Sequence, residues 1–238
     1  MLSPSTVKIA LGLAGIALGV RQIKNGMEHL AAASPQPGQR PLPRRQQSSR
    51  RLAAEPDGHV MTPSGPLRLR TYQIRSLEDR IKRLRERVEA GKRDPAVYEF
   101  ARRAVSKKCG PNWCVAEKDT LGELRALFAA VRNNVRYTSD IRGVDSYQDP
   151  GKTLMLRSGD CDDAASLACA LAASIGVPCR FKVIRTKDSG DWNHIFAQMG
   201  LPRQRPMHWV SFDSSVDKPF GWEAPPQMVA ASRVFRVA

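Results

Sequence analysis

The sequence contains one cysteine whose setting suits nucleophilic chemistry. Cys161 lies in the stretch Ser158-Gly-Asp-Cys-Asp-Asp163, and apolar residues follow it at helical spacing until Gly176-Val-Pro178. This pattern predicts a helix that begins at Cys161. The unpaired N–H groups and the positive dipole end of a helix favour a thiolate, which is the reactive form of cysteine. Such a cysteine becomes an enzyme nucleophile when a histidine can take up and return its proton.

A histidine and an aspartate follow on two strand-like runs, one opening at His194 and the other ending at Asp213. Their connection is too short for a crossover helix, so the runs predict an antiparallel hairpin. If Met199 lies opposite His208, then His194 lies opposite Asp213, and directly opposed residues share a face with Cβ atoms about 5 Å apart. The aspartate would orient the imidazole and stabilise its charged form. A slip of one residue would send the two side chains to opposite faces.

The elements that position these residues follow from apolar periodicity and capping signals. Ser76 with Asp79, and Thr120 with Glu123, resemble capping boxes. The helix, strand, strand, strand order that starts at Cys161 predicts an α+β fold, with the nucleophile helix packed on an antiparallel sheet. The further predicted elements are an edge strand or extended arm over Leu67–Ile74, helices over Ser76–Glu89, Ala96–Val105 and Thr120–Val135, and a strand over Cys179–Arg185.

Cys161 and its acidic neighbours also have purely structural interpretations. A single cysteine is by default a buried, inert residue. The acidic neighbours of Cys161 instead suit a helix start and a partly open site. These neighbours, Asp160, Asp162 and Asp163, are adjacent in sequence. Adjacent carboxylates do not converge as in a calcium loop, so we expect at least one of them to cap the helix, and we expect no metal.

The remaining cysteines have other settings. Cys169 and Cys179 fall on the predicted helix and strand and are predicted to be core residues. Cys109 and Cys114 could form a small disulfide loop, bind metal, or be two loop thiols with no joint role. The last interpretation is favoured, and zinc is disfavoured because no second Cys/His pair has the right spacing. Five cysteines in 238 residues favour a reduced compartment or a reactive thiol over a disulfide scaffold.

Taken together, these motifs resemble the transglutaminase-like superfamily of papain-like cysteine enzymes over roughly residues 120 to 222. The resemblance is carried by Gly159–Asp163 with its helix and Gly176-Val-Pro178, by His194 opening a strand, by Trp209–Asp213, and upstream by Val135–Asp140 and Gln148–Pro150. It implies a papain-like α+β domain that attacks amide bonds through an acyl-thioester, as a peptidase, amidase or cross-linking enzyme. It also implies a protein or peptide substrate and no cofactor or metal, although calcium-dependent relatives exist.

The same resemblance assigns roles to individual residues. Cys161 would be the nucleophile, His194 the general base and acid, and Asp213 the orienting carboxylate. The oxyanion donors would be the Cys161 backbone N–H and the Gln148 side chain. Some members of the superfamily are non-catalytic, and the Gly221-Trp-Glu223 turn is similar to that of bacterial and tailed-phage proteins, some encoded among virion genes. The alternative function is therefore a structural or assembly component, for example of a phage virion, that retains the fold.

Composition divides the chain into three predicted parts. Residues 1–33 form an apolar and amphipathic helix, residues 34–66 a Pro/Arg-rich linker, and residues 67–238 a helical lead-in with the enzyme-like domain. The unbroken apolar run Ile9–Val20 would rise about 18 Å as a helix, too little to cross a hydrocarbon core of roughly 30 Å. We expect residues 5–33 to dock on an assembly partner or a membrane surface, a signal or anchor segment being the alternative.

The net charge of +15 lies mostly outside the enzyme-like domain. Residues 1–108 hold 22 Lys and Arg against 9 Asp and Glu, whereas residues 109–238 hold 16 against 14. The basic arm predicts weak contact with an anionic surface, but it lacks a nucleic-acid motif, so no specific nucleic-acid partner is expected. A mean hydropathy of −0.40 excludes a polytopic membrane protein. The bacterial cytoplasm or a phage virion is the favoured location, with membrane association as an alternative.

Overall fold

The structure is a computed structural model that describes residues 58–62, 65–69, 73–140 and 145–237, with side chains from residue 73 onward. The chain divides into two units, Met1–Leu52 and Ala53–Ala238, and the described residues all belong to the second. The predicted N-terminal helix and most of the predicted linker therefore lie outside the described residues. In chain order the elements are β1 (Gly58–Thr62), β2 (Gly65–Leu69), α1 (Leu77–Gly91), α2 (Pro95–Val105), β3 (Lys108–Cys109), β4 (Asn112–Trp113), α3 (Thr120–Asn134), β5 (Arg136–Tyr137), α4 (Pro150–Leu156), β6 (Ser158–Gly159), α5 (Cys161–Ser174), β7 (Cys179–Thr186), β8 (His194–Leu201), β9 (His208–Phe212), a short 3₁₀ helix (Pro226–Met228) and β10 (Val229–Arg236).

Polar caps begin the longer helices. The Ser76 side chain accepts the Asp79 N–H at 3.1 Å and starts α1, which confirms the predicted cap. At α3, the prediction of Thr120 as the cap is wrong by one residue. Asp119 takes that place and accepts the N–H of Gly122 at 2.8 Å. An aspartate carboxylate caps a helix as well as a hydroxyl does. The cap is therefore Asp119, and Thr120, the predicted cap, is instead the first residue of α3.

The central helix of the fold is α5. It is rich in alanine, and its residues from Asp162 to Ala172 are buried. Helices α1, α2 and α4 pack around it, and strand β8 packs along it. Small residues allow the close approach: a Cβ added at Gly91, the last residue of α1, would lie 2.5 Å from Pro150 Cγ and 3.0 Å from Ala170 Cβ. The helix that begins with Cys161 is therefore packed on several sides.

Four antiparallel strands form the sheet in the order β10, β7, β8, β9. Phe181, Ala197 and Phe212 pair across β7, β8 and β9 and belong to the buried core that includes α5. Successive side chains on a strand point to opposite faces, so these residues define the core face of the sheet. The fold is thus α+β and papain-like, as the sequence predicts.

The opposite face of the sheet carries polar side chains. Glu223, from the segment after β9, accepts hydrogen bonds from Lys182, Gln198 and Ser211, which lie on three neighbouring strands. His194 belongs to this face because it lies four residues before Gln198 on β8. The segment that contains Glu223 therefore ties together the strands on which the candidate site is built.

Two parts of the architecture differ from the sequence analysis. Strand β10 lies beyond the predicted core of residues 120–222 and adds the fourth strand, next to β7. Strands β1 and β2 pair as an antiparallel hairpin that begins at Gly58, within the segment for which the sequence predicts a linker. Strand β2, Gly65–Leu69, overlaps the start of the edge strand or arm predicted over Leu67–Ile74.

In the part of the chain that the structure describes, no helix combines the length and the apolar character that crossing a membrane requires.

Candidate active site

Cys161 is the first residue of α5, as the sequence predicts. A reciprocal capping box precedes it: Asp160 Oδ1 accepts the Asp163 N–H at 3.1 Å, and Asp163 Oδ2 accepts the Asp160 N–H at 3.3 Å. The prediction that an acidic residue caps this helix is therefore confirmed. Because the first N–H groups of a helix have no intrahelical acceptor, the Cys161 N–H is available to a ligand. Its side chain is partly exposed, whereas Cys169 and Cys179 are buried as predicted.

The surroundings of the Cys161 thiol favour its neutral form. Burial raises its pKa, and the charges of Asp162 and Asp160 raise it further. The nearby backbone N–H of Ile195 lowers the pKa in part, so the sulfur lies near the start of β8. The charge of Asp213 also raises the pKa, so the helix N-terminus acts against four unfavourable contributions. A thiolate at Cys161 therefore needs a base that accepts the proton.

His194 and Asp213 are joined by a hydrogen bond of 2.7 Å between Nε2 and Oδ2. The other oxygen of Asp213, Oδ1, accepts the Ser215 hydroxyl at 2.6 Å and the Ser215 N–H at 3.2 Å. Asp213 is 8% exposed, and the His194 ring stacks on Phe196 with centroids 5.8 Å apart. Both side chains are thus held in one orientation. Because Nε2 faces the carboxylate, Nδ1 is the ring nitrogen left for a second partner.

The strand register that brings this pair together differs from the predicted one. The sequence predicts Met199 opposite His208, whereas Leu201 pairs with His208 in the structure, so the predicted register is wrong by two residues. An even shift keeps every side chain on its face. His194 and Asp213 are consequently diagonal neighbours on one face instead of directly opposed residues, and they still meet.

The side chain of Gln148, which the resemblance suggests as an oxyanion donor, is engaged elsewhere. Its Nε2 donates to Asp163 Oδ2 at 2.8 Å and to the Ser158 carbonyl at 3.2 Å. Its backbone N–H donates to Asp163 Oδ1 at 2.7 Å. Gln148 therefore supports the capping carboxylate of α5, and its part in binding an oxyanion stays a prediction.

Buried carboxyl groups surround the start of α5. Burial raises the pKa of Asp162 to about 7, and Asp160 raises it further while Arg80 opposes the increase. Burial also raises the pKa of Asp163 to about 7, against the hydrogen bonds from Gln148. Asp162 Oδ1 is buried without a hydrogen-bond partner among the described residues. Within that same part of the chain, no group of three or more His, Cys, Asp and Glu side chains could hold a metal ion.

Three neighbours of the site have no role in the sequence analysis. Tyr137 pairs with Gly159 where β5 meets β6, and its pKa is raised by burial and by its proximity to the Cys161 and Asp160 side chains. Ser215 holds Asp213, and Phe196 stacks on His194. Period-two alternation along the strand from His194 could have identified Phe196 as a residue on the same face.

Cys109 and Cys114 form a disulfide across the β3–β4 hairpin, with Cα atoms 5.0 Å apart. The interpretation of this pair as loop thiols with no joint role is therefore wrong. Asn112 pairs with Cys109 across this short hairpin, which brings the two cysteines within bonding range. Two of the five cysteines thus belong to a disulfide, and Cys161 remains the partly exposed free thiol among the described cysteines.

A cysteine at the start of a central helix, with a His–Asp pair on an adjacent antiparallel sheet, defines a fold of the cysteine-enzyme type. Residues 111–214, which include Cys161, His194 and Asp213, match the family model of the Transglutaminase-like superfamily. Among solved structures, the chain is similar to a candidate cysteine protease from Cytophaga hutchinsonii, with 17% identity and a TM-score of 0.39. That match covers 62% of this chain and 50% of the other. The search of curated proteins found no match.

Proposed function

We propose that this domain is a cysteine enzyme that acts on carboxamide or peptide bonds of a protein or peptide substrate. The observation that carries the proposal is the His194–Asp213 hydrogen bond of 2.7 Å at the start of β8. The backbone N–H of Ile195, the next residue on that strand, lies near enough to the Cys161 sulfur to lower the pKa of the thiol. The start of β8 therefore lies beside the thiol and bears a histidine that is already oriented by a carboxylate.

In the proposed reaction, Nδ1 of His194 accepts the thiol proton as the Cys161 sulfur bonds to the carbonyl carbon. The tetrahedral intermediate then collapses, the carbon–nitrogen bond breaks, and His194 returns the proton to the leaving amine. The product is an acyl-thioester on Cys161. Water or a second amine attacks this thioester, gives its proton to His194 and regenerates the thiol, with release of an acid or a new amide. Asp213 stabilises the imidazolium in both half-reactions.

The oxyanion of the intermediate would bind the Cys161 N–H, which is unpaired within the helix and lies at its positive end. Gln148 would add a second donor only if its amide released Asp163 or the Ser158 carbonyl. A Gln148→Glu variant would therefore change the α5 cap as well as any oxyanion contact, and Gln148 alone does not decide the mechanism.

Iodoacetamide alkylation of the full-length protein, followed site by site by mass spectrometry from pH 5 to 10, tests the proposal. We expect Cys161 to react with a thiolate population below the free-cysteine pKa of about 8.5, and faster than the buried Cys169 and Cys179. His194→Asn should slow alkylation of Cys161 below pH 8 by at least about tenfold, because the base is lost. His208→Asn is the matched control, since His208 is exposed at the start of β9.

Turnover is measured with dimethylcasein as acyl donor and monodansylcadaverine as amine, with Cys161→Ala as the blank. Incorporation of the amine indicates acyl transfer, and new peptide ends indicate hydrolysis. Equal alkylation of Cys161 in the wild type and in His194→Asn would contradict the proposed proton transfer.

The second candidate function is a non-catalytic assembly component that keeps the fold. One observation favours it: burial and the charges of Asp162 and Asp160 raise the pKa of the Cys161 thiol in the resting structure. For this candidate, alkylation of Cys161 shows no thiolate below pH 8.5 and does not depend on His194. The same experiment therefore separates the two functions.

A further inference from the structure

A cavity of about 310 Å³ lies on the polar face of the sheet, between strands β7, β8 and β10 and the segment that contains Glu223. It lies outside the Cys161–His194–Asp213 constellation described above. Its volume is at the lower end of the range of about 300–1,000 Å³ typical of small-molecule sites. The residues that define it include Lys182, Ile184, Phe196, Glu223, Ala224 and Val229.

The cavity adjoins the candidate base. Ile184, one of its wall residues, pairs with His194 across β7 and β8. Phe196, another wall residue, stacks on the His194 ring with centroids 5.8 Å apart. Because residues two apart on a strand share a face, a group in the cavity and a group bound at His194 lie on the same side of the sheet. The Phe196 ring separates the two positions.

The lining selects an uncharged, apolar occupant. Ile184, Phe196 and Val229 present hydrocarbon surface. The charged lining residues, Lys182 and Glu223, form an ion pair with each other at 2.5 Å. Gln198 also donates to the Glu223 carboxylate. An ionic group entering the cavity would lose water without gaining an unpaired counter-charge, whereas an apolar side chain gains burial.

We propose that this cavity is a specificity subsite that binds one large apolar side chain of a polypeptide substrate, next to the bond that Cys161 attacks. The proposal rests on the function proposed above, because it treats His194 as part of the reacting centre. The size of the cavity suits a side chain such as that of phenylalanine or leucine.

Methyl NMR of the full-length protein tests the proposal, with N-acetyl-L-phenylalaninamide as the probe and N-acetylglycinamide as the blank. We expect the phenylalanine amide to shift the methyl signals of Ile184, Val229 and Ala231, which all line the cavity, in a saturable way. The glycine amide should leave them unchanged. Ala224→Leu fills the cavity and should weaken binding by at least about tenfold. Ala129→Leu adds the same group on the exposed surface of α3 and should bind as the wild type does.

Ser232→Leu, on the β10 side of the cavity, is the second variant if Ala224→Leu does not fold, which methyl signals outside the cavity report. Equal shifts with both amides, or undiminished binding in a folded cavity variant, would overturn the subsite.

A second readout links the cavity to the reacting centre. The bound phenylalanine amide should slow iodoacetamide alkylation of Cys161 at least twofold in the wild type and leave Ala224→Leu unaffected. Binding without any effect on Cys161 would overturn its assignment as a substrate subsite. If Cys161 shows no activated reactivity in the absence of peptide, the proposed function fails, and with it the assignment as a subsite; the NMR titration still decides whether the cavity binds an apolar side chain.

Discussion

Replacing Asp162 by asparagine should stabilise the folded domain at neutral and alkaline pH. The Asp162 side chain is 4% exposed, and its Oδ1 has no hydrogen-bond partner among the described residues. Burial, and then the charge of Asp160, raise its pKa to about 7, with Arg80 opposing them. Ionisation of this carboxyl is therefore unfavourable in the folded state. Asparagine has nearly the same volume and no charge.

The sign follows from proton linkage. In the unfolded chain the Asp162 carboxyl titrates near its ordinary pKa of 3.8, whereas in the folded state it keeps its proton up to about pH 7. The contribution of Asp162 to the free energy of unfolding thus falls as pH rises from about 4 to 7 and stays low above pH 7. That difference in pKa corresponds to at most about 4 kcal/mol. The variant also loses the attraction between Arg80 and the carboxylate, so we expect a gain of roughly 1–3 kcal/mol above pH 7 and little change at pH 4.

Urea unfolding of the wild type and Asp162→Asn at several pH values between 4 and 8.5 measures this effect. Asp188→Asn, at an exposed position, is the matched control and should change stability by less than about 0.5 kcal/mol at each pH. The variant should also alkylate faster at Cys161 near pH 7, because the Asp162 charge raises the pKa of that thiol. A variant that is less stable than the wild type at pH 8, or equally shifted at pH 4 and 8, would refute the reasoning.

Three further substitutions test the site and its support. Asp213→Asn removes the carboxylate that orients His194 and should slow alkylation of Cys161 below pH 8 by at least about tenfold with an unchanged circular dichroism spectrum; an unchanged rate would contradict this role. Gly159→Ala would place a Cβ 2.7 Å from Asp163 Cβ and should lower the urea midpoint by about 1–3 kcal/mol in unfolding free energy, whereas a tolerated alanine would show that Asp163 can move. Cys109→Ser with Cys114→Ser should cost about 2 kcal/mol in the same assay, judged from the short loop that the disulfide closes, and no cost would show that the hairpin opens independently of the core.

The start of α5 could be predicted because its signals are local. Asp160 and Asp163 stand three residues apart, which is the spacing that a reciprocal cap requires, and both hydrogen bonds are present. The apolar spacing after Cys161 likewise depends only on helix geometry, and residues from Asp162 to Ala172 are buried. Signals within a few residues of Cys161 are therefore sufficient to place the candidate nucleophile at the start of a helix.

The strand register depends on a contact that the sequence does not display. Gly200 and Leu201 look like the beginning of a loop, but β8 continues through them to Leu201. A Cβ at Gly200 would lie 2.7 Å from Pro206 Cγ and 3.3 Å from the Trp209 ring, so this glycine permits a close approach within the hairpin. The two extra strand residues account for the shift of two in the predicted register.

Neither the disulfide nor the cavity could be predicted from the sequence. Cys109 and Cys114 pair because a two-residue hairpin turns between β3 and β4, and neither run is long enough to show an alternating pattern. The cavity depends on β10, which returns from residue 229 to lie beside β7. Pairing between strands that are far apart in the sequence cannot be recognised from the apolar periodicity of the residues that line the cavity.

At the start of α5, the acidic side chains that favour the helix also disfavour ionisation of the Cys161 thiol. Asp160 accepts the Asp163 N–H and Asp163 accepts the Asp160 N–H, so the two residues define where the helix begins. The charges of Asp160 and Asp162 nevertheless raise the pKa of the Cys161 thiol. The helix dipole alone is therefore a weak source of thiolate in this domain. Reactivity would have to come from His194, whose position depends on the β8–β9 register and on its hydrogen bond to Asp213. Because a shift of two residues preserves that pair and a shift of one would separate it, side-chain alternation along the hairpin is the structural condition for chemistry at Cys161.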